Sequence, residues 1–184
     1  LGSFARNVRL WPEHKLFSWV DSKCRVTDTL TCAELWAAAG AVCELLLSKG
    51  CAPRERVMIS YTPGLEFLSG LLGCMRAGAI PCNVYPPNPK DLTAELDKFS
   101  AFSRDAGARF ALTTGRLLMM LRAAKSWTSA TFAGVAWLAT DSLNGAAPRH
   151  FADRTPVAED VAFIQYTSGS TGIPKVRVYS TQQP

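Results

Sequence analysis

Tyr166-Thr167-Ser168-Gly169-Ser170-Thr171-Gly172-Ile173-Pro174-Lys175 follows directly on an apolar, strand-like segment, Val161 to Tyr166, and leads into Val176-Arg177-Val178-Tyr179, whose apolar and polar residues alternate. The order predicts strand, loop, strand. Glycine tolerates positive φ and lets the backbone approach an oxyanion, while hydroxyls and free amides supply donors that converge on one anionic group. Each hydrogen bond to a charged acceptor contributes roughly 1.5–3 kcal/mol, so four or five well-aimed donors suffice to hold a nucleotide phosphate. Thr167, Ser168, Gly169, Ser170, Thr171, Gly172 and Lys175 are therefore the candidate polyphosphate-binding residues. A Walker loop needs Lys directly after its second glycine and a helix beyond, whereas Ile173 and Pro174 intervene here.

Working outward, Thr31 with Glu34 forms a capping box, and Leu35, Ala38, Val42, Leu45 and Leu46 recur at helical spacing as far as Gly50. A strand over Arg56 to Tyr61, a helix over Leu65 to Ala77 closed by Gly78, and a strand over Ala79 to Val84 make one strand-helix-strand unit. Pro86, Pro87 and Pro89 stiffen the next loop, and Leu92, Leu96, Phe99 and Phe102 mark a helix running to Gly107, their aromatic stripe facing the core. Arg109 to Thr113 and Gly134 to Leu138 read as strands and Gly115 to Ala124 as a helix, with a long surface connection over Ser142 to Pro156. The expected fold class is α/β, a mainly parallel sheet flanked by helices on both faces, in one unit spanning 1–184. In such sheets ligands bind beyond the carboxyl ends of the strands, where the Ser/Thr/Gly loop begins.

A chain of 184 residues with 48% hydrophobic and 19% charged residues sustains a real core. The net charge of +5 comes from scattered basic residues, which suits anionic ligands; nucleic acid is not expected, because no basic patch interleaved with aromatics occurs. Six cysteines form no Cys-x-x-Cys pair and have no histidine at ligand spacing, so they read as reduced, buried thiols and no metal site is assigned. His14 and His150 lack the neighbours of a triad. No membrane span occurs and the start lacks a signal-peptide layout, which points to the cytoplasm; the chain begins with Leu1, so a targeting segment could precede it.

The decamer resembles the phosphate-binding signature of the AMP-forming acyl-activating enzymes. Leu30-Thr31-Cys32-Ala33-Glu34-Leu35 is similar to that family's early helix start, and Met75-Arg76-Ala77-Gly78-Ala79-Ile80-Pro81 to its helix-to-strand corner. Gln165, with Gly73 to Gly78 running on to Val84-Tyr85-Pro86-Pro87, looks most like fatty acyl-AMP ligases and disco-interacting proteins. The resemblance runs from about Pro12 to Lys175 and is loose between Gly115 and Pro156.

It implies attack of a carboxylate, a fatty acid above all, on the α-phosphate of Mg-ATP, then acyl transfer to a thiol of coenzyme A or of a carrier-protein phosphopantetheine. It also implies that the adenine segment, the acidic residue holding Mg2+, the acyl tunnel and the catalytic lysine all lie downstream of Pro184, so that 1–184 is an incomplete, N-terminal part of an adenylation domain, inactive alone. The family continues with glycine and soon a histidine after the lysine, whereas Val176 follows Lys175 here. A non-catalytic binding or regulatory module that keeps the fold is the alternative.

Overall fold

The structure, a computed structural model, describes residues 1–88, 91–123, 134–143, 154, 157, 160–167 and 175–180, with backbone only at 92, 93, 167 and 175. The chain opens with α1 (Gly2–Leu10) and an antiparallel hairpin of β1 (Lys15–Val20) and β2 (Val26–Thr31). Asp21 shapes the hairpin turn by accepting from the Lys23 and Arg25 amides at 2.8 and 3.0 Å and pairing with the Arg25 guanidinium at 2.7 Å. Those bonds, led by the Arg25 amide, hold its carboxyl below the usual range.

Thr31 ends β2 and caps α2 (Cys32–Ser48): its hydroxyl accepts from the Glu34 amide while the Glu34 carboxylate accepts from its own amide, both halves of the expected capping box. From there strands and helices alternate: β3 (Arg56–Ile59), α3 (Glu66–Arg76), β4 (Ile80–Asn83), α4 (Leu92–Ala106), β5 (Phe110–Thr113), α5 (Gly115–Ala123), β6 (Ala136–Ala139), β7 (Val161–Thr167) and β8 (Lys175–Ser180). Gly78 after α3 and Gly107 after α4 stand at φ +69° and +60°, the left-handed turn that lets each helix fold straight back into a strand.

The main sheet runs β6-β5-β3-β4-β7-β8, parallel except for β8, which pairs antiparallel with β7. Alternation along the strands divides the core into two layers. Val57, Ile59, Phe110 and Leu112 face Val42, Cys43 and Leu46 of α2 and Cys74 of α3. Met58, Cys82, Ala111 and Trp137 face Leu96 and Phe99 of α4 and Leu117, Leu118 and Leu121 of α5. The expected α/β sheet with helices on both faces is what forms. At the β7/β8 hairpin, Phe163 and Tyr179 are register partners with rings stacked 4.4 Å apart.

One expectation needs correction. Cys32, Cys43, Cys51, Cys74 and Cys82 are buried free thiols, but Cys24 is exposed, because it sits in the β1/β2 turn at φ 58° with no apolar layer above it. Most of the connection over 142–156 lies outside the described residues.

Candidate functional site

The five parallel strands deliver their carboxyl ends to one rim. α3 leaves β3 toward the α2 layer, whereas α4 leaves β4 toward the α5 layer, so the chain parts between these two neighbours. A crevice results outside β3 and β4, the place where open α/β sheets hold ligands.

β7 ends at the same rim. Thr167 and Lys175 are register partners, so both ends of the Ser/Thr/Gly segment meet there. Of the candidate phosphate-binding residues, Thr167 and Lys175 have described backbones, while Ser168, Gly169, Ser170, Thr171 and Gly172 lie outside the described residues. Tyr166, just before them, is held on two sides. Its hydroxyl donates to Asp105 Oδ2 at 2.7 Å, and its ring packs on Phe102 with centroids 4.8 Å apart. Burial, and then the Asp105 carboxylate, push its pKa upward, so it is a neutral phenol at physiological pH.

Two cavities open at the rim, with Tyr166 lining both. The larger, about 1130 Å3, lies between α4 and α5 and is walled by Phe99, Phe102, Leu117, Met119, Met120 and Ala123. Lys98 and Arg116 stand at it, Lys98 paired with Glu95 at 2.6 Å. Glu95 also lines the cavity and offsets Lys98, so the apolar body carries one net positive charge at Arg116, which suits an amphipathic anion. The sequence reading treats the aromatic stripe of α4 as core. Phe99 is buried in that core and Phe102 packs against it, and both also line the cavity together with Met119 and Met120 of α5. The smaller cavity, about 360 Å3, lies on the other face against α3.

The rim is stiffened by local polar contacts. Asp141, just after β6, accepts from the Gly115 amide at 2.8 Å, and Thr114 Oγ1 accepts from the Leu117 amide at 3.3 Å, which together occupy the α5 amino terminus. Tyr61 and Thr140 share a hydrogen bond of 2.8 Å, and burial raises the Tyr61 pKa. Among the described residues no group of three or more His, Cys, Asp or Glu is arranged to hold a metal, and no helix is long and apolar enough to cross a membrane.

Comparison with known proteins agrees with this geometry. The medium-chain-fatty-acid–acyl-carrier-protein ligase JamA of Moorena producens is 30% identical over 161 residues, covering 88% of this chain and 27% of that protein. Disco-interacting protein 2 homolog B-A of Danio rerio is 30% identical over 166 residues, covering 88% of this chain and 10% of its own length. The chain thus spans under a third of the curated relatives it matches. Among solved structures, a fatty acyl-adenylate ligase from L. pneumophila, in complex with acyl adenylate and pyrophosphate, superposes with a TM-score of 0.82 at 24% identity, over 98% of this chain and 30% of that one. A family model described as AMP-binding enzyme matches residues 4–183, and the chain belongs to that family.

Proposed function

We propose that this chain is the polyphosphate-gripping part of an enzyme that activates a carboxylic acid, specifically a fatty acid, as its acyl adenylate. One carboxylate oxygen bonds to the α-phosphorus of ATP, the bond from that phosphorus to the bridging oxygen of the β-phosphate breaks, and pyrophosphate leaves with the electron pair. The acyl group then passes to a thiol of coenzyme A or of a carrier-protein phosphopantetheine, releasing AMP. In this reading 1–184 is a single, incomplete amino-terminal part of the adenylation domain, acting in the cytoplasm. Free and mostly buried thiols suit such a reducing compartment.

Thr167, Ser168, Gly169, Ser170, Thr171 and Gly172 orient the β- and γ-phosphates and offset charge that develops on pyrophosphate. Lys175 adds a positive charge. The donor set suits phosphate, being hydroxyls and amides with no carboxylate between Tyr166 and Lys175, so a carboxylate ligand for Mg2+ would come from outside the loop. When bound, Mg2+ supplies charge neutralisation for the phosphates.

The observation that carries the reading is the pairing of Thr167 with Lys175 at the carboxyl rim, which brings the ends of a Ser/Thr/Gly segment together where anions bind in such sheets. The neighbouring apolar cavity, with Arg116 at its lining, supports a fatty acid as the acid. JamA and the L. pneumophila ligase, by name, act on fatty acids.

The test is isotope exchange between pyrophosphate and ATP in the polypeptide that carries this chain with its downstream segments, driven by a panel of fatty acids. Exchange is expected, and Ser170→Ala with Thr171→Ala should lower it by about a hundredfold or more. No exchange with any acid would leave the non-catalytic binding module as the function; full activity in the double variant would remove the loop from the mechanism.

A further inference from the structure

The smaller cavity at the rim has no part in the polyphosphate reading, yet it occupies the crevice outside β3 and β4 where the chain parts. Two carboxamides form its floor. Asn83 and Gln165 are register partners in β4 and β7. Cys82, Ile164 and Tyr166 pack into the α4/α5 layer, so by strand alternation Asn83 and Gln165 lie side by side on the opposite face.

The oxygen of Asn83 is buried, and among the described residues no donor reaches it. An acceptor left unsatisfied inside a protein costs the full loss of its hydration, and such groups in native folds call for an explanation. Trp19 of β1, Phe67 of α3 and Tyr61 stand around this floor, and among the described residues no Asp, Glu, Lys or Arg lines the cavity. Aromatic walls take up a flat apolar body, and the lack of charge disfavours an ion.

We infer that this cavity is a binding site for a small neutral molecule carrying a planar amide edge. Its N–H donates to Asn83 Oδ1, and its ring lies against Trp19 and Phe67. None of the residues that line it belongs to the candidate polyphosphate segment from Thr167 to Lys175.

Benzamide and nicotinamide are the probes, with benzoate and toluene as ring-matched controls lacking a neutral amide. Binding to the full chain is followed through the side-chain NH2 signals of Asn83 and the indole NH of Trp19 in nitrogen-15 spectra. The amides should shift both signals and bind about tenfold more tightly than toluene or benzoate, the difference one neutral hydrogen bond makes. Asn83→Leu should erase that preference. Trp19 is 40% exposed, outside the buried core, so Trp19→Leu gives a second route: it should weaken every probe. Ser170→Ala with Thr171→Ala should leave all binding unchanged, which keeps this result distinct from that of the nucleotide reading. Equal binding of benzamide and toluene, an Asn83→Leu variant that keeps the preference, or a cavity that takes neither amide and holds water alone would each overturn the inference.

Discussion

Tyr166 donates its phenolic hydrogen to Asp105 across 2.7 Å, tying the residue that precedes the Ser/Thr/Gly segment to the last turn of α4. The bond crosses from sheet to helix and fixes one wall shared by both rim cavities. Tyr166→Phe removes the donor and keeps the ring on Phe102. It should cost about 1–2 kcal/mol in urea unfolding, and combining it with Asp105→Ala should add less than the sum of the two, since both remove one interaction. Full additivity would mean that the bond contributes nothing.

Buried thiols set an alkaline limit. Burial pushes Cys51 and Cys82 from the ordinary thiol value of 9.0 up to about 12, and raises the fully buried Cys74 well above 9.0 as well. A folded-state pKa above the unfolded one means that folding favours the neutral thiol. The resulting stability is complete below pH 9.0 and is lost as pH rises toward 12. Urea midpoints should be level through neutrality and fall above that value, with a shallower fall in Cys82→Ala. A midpoint unchanged by strong alkali would contradict the assignment.

Gly73 is where α3 comes closest to α2. A Cβ there would stand 2.5 Å from Val42 Cβ and 3.0 Å from the Ala39 carbonyl oxygen, neither of which is a flexible chain end. Gly73→Ala should therefore destabilise by about 1–3 kcal/mol despite its gain in helix propensity. Thermal unfolding with Gly2→Ala as the control, where nothing lies within reach, separates the two effects.

Arg76 is 5% exposed, donates from Nη1 to the Trp36 carbonyl at 2.6 Å and stacks its guanidinium 3.7 Å from the Trp36 ring. Arg76→Met keeps much of the volume and removes the charge-assisted bond, at a cost of about 1.5–3 kcal/mol. Arg76→Lys should recover only part of that, because an ammonium cannot both stack flat and reach the carbonyl.

Residues with strong periodicity were legible from sequence. The capping box at Thr31 and Glu34, the helix ends at Gly78 and Gly107 and the strand cores around Met58 and Ala111 appear where their chemistry put them, with ends displaced by a residue or two. Nothing ahead of Leu30 reads as an element, because the hairpin turn is built by Asp21 bonding its own neighbours and not by a recognisable glycine turn, and because β1 alternates around residues that are exposed on both faces. The cavities were illegible for another reason. Phe102 and Met120 share the periodicity of core residues, and only the separation of α4 from α5 makes them line a space. The pairing of Asn83 with Gln165 needs the strand order, which local sequence does not encode. For the candidate loop, sequence supplied the residue types, and the register of Thr167 with Lys175 adds where its ends lie.

The stacked rings of Phe163 and Tyr179 act at a distance from where they sit. Sliding β8 along β7 by one residue would turn every side chain to the wrong face and pull these rings apart. The span between Thr167 and Lys175 is thereby gauged from the far end of the hairpin. An aromatic couple at the opposite end of the two strands thus helps to keep Thr167 and Lys175 facing one another at the rim.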